Sequence, residues 1–310
     1  MMRPFLVATL SAASLGLAGC STTQVPAPVA STAPVPVPTD PLAQPAPDTM
    51  RWLYGSGEAA GASIQAFRAL ADYAIAAAAA RPAQSVAMGL PGATGGTGTV
   101  SCTADDGSAK PYAVVFDVDE TLVLNLGYEY WAALGNSFSN EAWDDWAANG
   151  APHVDPVPGA VTGLRRLREA GIEVMFNTNR EAKTAAGTIA AIEAAGLGPA
   201  VHGETLFLRG DDAMGSRKDG RRATIADRYC VVALAGDNLG DFADVFNDPA
   251  LAPQARRELA GRGALAQLWG NGWFALPNPV YGNAIRGTIG EVYPPDTRWE
   301  PAMKVPASGK

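Results

Sequence analysis

The sequence predicts an α/β fold: a parallel sheet with helices on both faces, plus a small helical insert and an N-terminal helix. Two observations carry this. In the second half of the chain, apolar β-branched runs alternate with helical segments closed by glycine, the order that produces a parallel sheet covered on both sides. Three of those runs also stop abruptly at clusters of polar residues, and ligands gather where the strands of such a sheet end.

The first fifty of the 310 residues do not read as folded protein. Residues 1–19 carry one charge, Arg3, and then an apolar run that is short for a membrane span and reads as a secretory signal peptide. The run ends Leu17-Ala18-Gly19-Cys20, which resembles the bacterial lipobox and predicts lipidation at Cys20. Ser21, rather than Asp, follows that cysteine and favours an outer membrane lipoprotein facing the periplasm or the cell surface. Residues 20–49 are rich in Pro and Ala, cannot form a packed core, and are expected to be a disordered tether reaching up to ~90 Å if extended as polyproline II.

Residues 50–295 are expected to form the folded domain, with 296–310 as a C-terminal tail. Within the domain, 58–81 places Ile64, Phe67, Ala71 and Ile75 at helical spacing and is stopped by Pro82. Residues 89–110 are rich in Gly and Thr and read as a long loop. The first strand is Ala113-Val114-Val115-Phe116, and 125–157 is an aromatic helical insert containing Tyr128, Trp131, Phe138, Trp143 and Trp146. Alternation follows: helix 158–170 closed by Gly171, strand 172–176, helix 181–195 closed by Gly196, strand 205–208, helix 220–227 and strand 230–234. Between Thr178 and Lys218 there is room for only a helix and a strand, so no large cap domain fits there.

The polar strand ends carry the chemistry. The first strand ends Asp117-Val118-Asp119-Glu120-Thr121, the second Asn177-Thr178-Asn179-Arg180, and the last Gly236-Asp237-Asn238-Leu239-Gly240-Asp241. A cationic cluster, Arg217-Lys218-Asp219-Gly220-Arg221-Arg222, opens a helix between the last two. Two carboxylates on one tight loop can divide labour, Asp117 as nucleophile and Asp119 as acid and base. A carboxylate repels a phosphate dianion, so a hard divalent cation such as Mg2+ is expected, with Asp117, Asp237 and the Asp119 carbonyl as oxygen ligands. Lys218 and the Thr178 hydroxyl would orient the phosphoryl oxygens, with Asn179, Arg180 and Arg221 around them. Asp241 reads equally as a holder of the metal or its waters and as the cap of the following helix. Tyr128, Trp131 and Tyr281 are the candidates for an aromatic clamp on the leaving group, where stacking contributes about 1–3 kcal/mol per base. His153 and His202 show no ligand spacing and read as surface or structural residues.

These residues resemble the four motifs of the haloacid dehalogenase (HAD) superfamily: Asp117/Asp119/Thr121, Thr178, Lys218 and Asp237/Asp241. The likeness narrows to the bacterial class C acid phosphatases through Arg51-Trp52-Leu53-Tyr54-Gly55-Ser56-Gly57-Glu58, Trp143-Asp144-Asp145-Trp146, Val157-Pro158-Gly159-Ala160-Val161 and Leu276-Pro277-Asn278-Pro279-Val280-Tyr281-Gly282. It implies a Rossmann-like HAD fold and a magnesium-dependent, nonspecific phosphomonoesterase that accepts nucleoside 5′-monophosphates. The chain departs from the family pattern at Leu124, where an Asp is common, and at Asn283-Ala284, where a Trp is often near. Asp119 argues against a dehalogenase, which needs no acid there. A phosphotransferase using the same intermediate stays open, as does a non-catalytic nucleotide- or haem-binding surface lipoprotein. The expected partners are a small phosphomonoester and a membrane through Cys20; a homodimer is left open. A net charge of −8 argues against nucleic acid. Cys102 and Cys230 either pair in an oxidising compartment or stay reduced and buried.

Overall fold

A computed structural model describes residues 40–301. The signal peptide, Cys20, most of the tether and the end of the tail lie outside the described residues. The chain divides after Gln44. Of the first unit the described residues hold one short turn, Pro41–Ala43, where Asp40 accepts from the Leu42 N–H at 2.9 Å.

The second unit is built on five parallel strands in the order β5-β4-β1-β6-β7: β1 is Tyr112–Phe116, β4 Glu173–Glu181, β5 Leu206–Arg209, β6 Cys230–Gly236 and β7 Trp273–Ala275. Side chains alternate across a strand, so β1 sends Val114 and Phe116 to one face and Ala113 and Val115 to the other. The first pair packs with Phe67, Leu70, Leu164, Leu167 and Ile192. The second packs with Met175, Ile225, Ala226 and Trp273. Burial on both faces explains why β1 and β6 are apolar without interruption.

The first face is covered by helices α2 (Gly57–Ala79), α5 (Ala160–Glu169) and α6 (Ala185–Ala194), and the second by α7 (Asp219–Arg228). A separate helix, α1, spans Asp48–Gly55 and begins inside the predicted tether, because Pro47 is compatible with a helix start and Asp48 supplies the first-turn acid. The insert after β1 is bracketed by a two-stranded antiparallel ladder, β2 (Val123–Leu124) with β3 (Asp155–Pro156). Between them lie α3 (Leu126–Ala133) and α4 (Asn140–Asn149). Between β4 and α7 there are only α6, β5 and a single turn at Ala182–Thr184.

One predicted boundary shifts, and one predicted loop is more ordered than its composition implies. The strand expected to stop at Phe176 runs on to Glu181, because Glu181 still pairs with Arg209 of β5 after an irregular stretch. The loop 89–110 is pinned by isolated bridges, Met88 with Gly98 and Thr103 with Ala109. Cys102 in that segment is bonded to Cys230 at the start of β6, which resolves the open cysteine alternative in favour of pairing.

Candidate active site

The C-terminal ends of β1, β4 and β6 meet the start of α7, and this convergence assembles the predicted residues. Lys218 sits just before α7 and is buried. Its Nζ donates to Asp117 Oδ1 at 2.5 Å and to Asp241 Oδ1 at 2.7 Å. The neighbouring Arg217 is exposed, so the lysine occupies the site. Thr121 donates to Asp237 Oδ1 at 3.0 Å and lies 3.4 Å from Asp117 Oδ2, tying the first and last strand ends together. The other Asp237 oxygen accepts from Asn278 Nδ2 at 2.7 Å.

Asp119 is held apart from that cluster. Its Oδ1 accepts from Arg180 Nε at 2.9 Å and from Asn125 Nδ2 at 3.0 Å. Among the described residues, Oδ2 has only the Thr178 hydroxyl, at 3.4 Å. Arg180 is fully buried; burial disfavours its charge, but Asp119 outweighs that and holds the guanidinium above its ordinary value. Thr178 is also fully buried within β4, where its hydroxyl accepts from the Arg180 N–H at 3.1 Å. Arg221 reaches back to the same strand end, donating to the Thr178 carbonyl at 2.8 Å and to Asn179 Oδ1 at 2.7 Å. Arg180 and Arg221 thus fix the site's walls, while Asn179 lines the cavity itself.

Asp241 closes its own turn, Leu239–Asp241, rather than capping a helix that follows it. Oδ2 accepts from the Asn238 N–H at 2.9 Å as a turn cap, and Oδ1 faces Lys218. The turn is tight because Gly236 leaves room for it: a Cβ there would lie 2.3 Å from the Asp241 Cβ. Arg222, which the motif reading did not single out, locks the turn from behind by donating to the Gly240 and Asp241 carbonyls at 3.0 and 2.9 Å.

Asp117, Asp237 and Asp241 each offer a carboxylate oxygen, all within 4.8 Å of one another. Lys218 reaches two of these three acids, Asp117 and Asp241. Burial pushes Asp237 up to about 7, with Asp241 adding to it, and holds Asp117 well above the usual carboxylate range against the pull of Lys218. An all-oxygen set with too little positive charge fits a hard divalent cation. The Asp119 carboxylate is not in this set. Its backbone carbonyl accepts no backbone hydrogen bond among the described residues and is free to serve as a ligand.

A cavity of about 630 Å³ opens over these groups and is lined by Asp117, Asp119, Lys218, Asp237 and Asp241 together with Tyr128, Phe138, Trp143 and Tyr281. Of the three aromatics expected to touch a leaving group, Tyr128 and Tyr281 line it. Trp131 does not; it packs against Tyr128 at 5.5 Å within the insert's aromatic cluster, which draws it away from the opening. Phe138 and Trp143 take that place, and Phe138 is exposed on a loop where no periodicity marks it.

Glu120 is the residue that motif reading passed over. It is buried, adopts a left-handed backbone (φ +53°) rare for a non-glycine, and is a hub. Its carboxylate accepts from Tyr54 of α1 at 3.2 Å, from the Asn125 N–H at 2.9 Å and from the Tyr281 hydroxyl. Burial pushes it up to about 8, with Asp119 reinforcing the shift. Asn125 is its counterpart, since its Oδ1 accepts from Trp146 Nε1 and Arg180, both at 2.8 Å.

The family model described as HAD superfamily, subfamily IIIB (acid phosphatase), matches residues 95–284. Among solved structures, the chain is similar to the class C acid phosphatase from Bacillus anthracis with tungstate bound. The identity is 22%, over 76% of this chain and 84% of that one, with a TM-score of 0.59. A second structure of the class C acid phosphatase from Bacillus anthracis matches at 22% identity, over 75% and 83% of the two chains, with a TM-score of 0.57.

Proposed function

The chain belongs to the acid phosphatases of HAD superfamily subfamily IIIB, and from that membership we propose that it hydrolyses phosphomonoesters through an aspartyl-phosphate on Asp117. Magnesium is the proposed cation, and nucleoside 5′-monophosphates are among the proposed substrates. One observation supports the reading above the others: Lys218 bridges Asp117 and Asp241 while Arg180 and Asn125 hold Asp119 apart, giving two acids with different tasks.

Asp117 attacks phosphorus with the oxygen that Thr121 contacts only weakly, at 3.4 Å. The bond from phosphorus to the leaving oxygen breaks, and its electron pair takes the proton carried by Asp119 Oδ2. Asp119, now a carboxylate, removes a proton from water, the water oxygen attacks phosphorus, and the Asp117–phosphorus bond breaks to return both acids to their starting states. Lys218 neutralises charge at Asp117 throughout. Asp117, Asp237, Asp241 and the Asp119 carbonyl would hold a divalent cation, which would offset the negative charge that gathers there when phosphate binds. Tyr281, Phe138, Tyr128 and Trp143 offer faces to an aromatic leaving group. With no large segment between β4 and α7 to cover it, the cavity suits varied leaving groups.

The same proposal places the enzyme at the outer membrane through lipidated Cys20. Its support is the order of apolar run, small residues and cysteine in the sequence; among the described residues no helix is long and apolar enough to cross a membrane.

Phosphate release from nucleotides, sugar phosphates and p-nitrophenyl phosphate, with and without chelator, tests the reading. Activity should vanish with chelator and return with magnesium, and Asp117→Asn should lose at least about a thousandfold in kcat. Full activity in Asp117→Asn would overturn it.

A further inference from the structure

Glu129, on α3, is a carboxylate that the proposed chemistry does not use. It lines the cavity yet is only 6% exposed, and it has no hydrogen-bond partner among the described residues. Its oxygens are not among the occluded atoms that lack a partner, so they open to the cavity, where a donor on a bound ligand can reach them. It lies close enough to Tyr54 and Glu120 for its charge to act on both, which places it beside the Glu120–Tyr281 hydrogen bond.

The cations around the cavity complete the picture. Lys183 is paired with Asp144 at 2.6 Å, Arg209 with Glu181, and Lys218 with Asp117 and Asp241. Each lining lysine and arginine among the described residues therefore already faces a carboxylate. A second anion on the leaving group would meet Glu129 with no free cation to receive it. A hydroxyl or amine donor would meet an acceptor with both oxygens unused.

We propose that Glu129 sorts leaving groups: it accepts hydrogen bonds from neutral, donor-bearing alcohols such as the ribose of a nucleoside, and rejects leaving groups that carry another phosphate. This rests on the phosphomonoesterase reading above. It adds a selection rule to that reading, a preference for monophosphates over bisphosphates set by one side chain of the insert.

The test compares kcat/KM for adenosine 5′-monophosphate, adenosine 3′,5′-bisphosphate and p-nitrophenyl phosphate in the full-length enzyme with magnesium. Whichever phosphate of the bisphosphate reacts, its leaving group keeps the other. Assays at about pH 8 keep Glu129 charged, since burial raises it only to about 7. The wild type should favour monophosphate over bisphosphate at least tenfold, and Glu129→Gln and Glu129→Ala should shrink that ratio by about tenfold. Hydrolysis of p-nitrophenyl phosphate, which offers neither donor nor second anion, should change less than about twofold and shows that each variant is folded. An unchanged ratio in variants that keep p-nitrophenyl phosphate activity would overturn the proposal alone, as would an equal fall on all three substrates. A wild type inactive on p-nitrophenyl phosphate at every pH from about 5 to about 8 would overturn the phosphomonoesterase reading, and this proposal with it.

Discussion

Asp119 presents two unlike oxygens, and the difference decides its chemistry. Oδ1 is taken by Arg180 and Asn125, which leaves Oδ2 as the oxygen that the proposed mechanism assigns to the leaving group's proton. Removing that proton should matter most where the leaving oxygen is a poor one. In Asp119→Asn, kcat/KM for an alkyl phosphate is expected to fall by about 100- to 10,000-fold, and for p-nitrophenyl phosphate by clearly less. Equal falls would remove Asp119 as the acid. Glu129 gives a second residue-scale prediction. Its folded carboxyl is raised to about 7 by burial, so its contribution to stability is present at low pH and is lost as pH rises through that value. Glu129→Gln should therefore raise Tm relative to wild type at pH 8, by about 2–4 °C per kcal/mol relieved, and leave it nearly unchanged at pH 4. Thermal melts of both proteins across that range check it; a gain at pH 4 and none at pH 8 would contradict the sign. The residues that sequence reading found are those where an apolar run ends in charge, Asp117 and Asp237 above all. Asn125 and Asn278 escaped it because their value depends on partners far along the chain. Asn125 meets Trp146, and Asn278 meets Asp237, 41 positions away.

Among the elements, β4 shows how the sheet carries the site beyond its apolar part. Thr178, Asn179 and Arg180 lie past the apolar run 172–176 that marks the strand in the sequence, yet they remain strand, with Arg221 bound to the Thr178 carbonyl and Glu181 paired with Arg209. β7 was invisible for the opposite reason: three residues, Trp273–Ala275, are too few to show a period, and only pairing with β6 defines them. The disulfide works at this scale as well. It ties the segment before β1 to the first residue of β6, closing 128 residues of chain. Chain entropy assigns such a loop about 5 kcal/mol, an upper figure because unfolded chains retain structure. Reduction, or Cys102→Ser with Cys230→Ser, should lower the denaturant midpoint by an amount equivalent to about 2–5 kcal/mol. An unchanged midpoint would mean that the bond contributes nothing to the native state.

The molecule as a whole brings three distant segments to one carboxylate. Tyr54 from the N-terminal helix, Asn125 from the start of the insert and Tyr281 from the C-terminal region all meet Glu120, so the cavity's walls are fixed to the strand end that bears Asp117 and Asp119. The α/β alternation made the sheet and its ligand-bearing edge legible in the sequence. The convergence on Glu120 was not, since no local pattern announces a contact across 161 positions. The central claim is that Asp117 forms a covalent bond to phosphorus. It is tested most directly by acid-quenching the enzyme during turnover and locating the phosphoryl group on its peptides by mass spectrometry, with Asp119→Asn used to slow breakdown. A phosphoryl adduct on Asp117, absent in Asp117→Asn, is the expected result. Turnover with no adduct in either wild type or Asp119→Asn, or an adduct on any other residue, would contradict it.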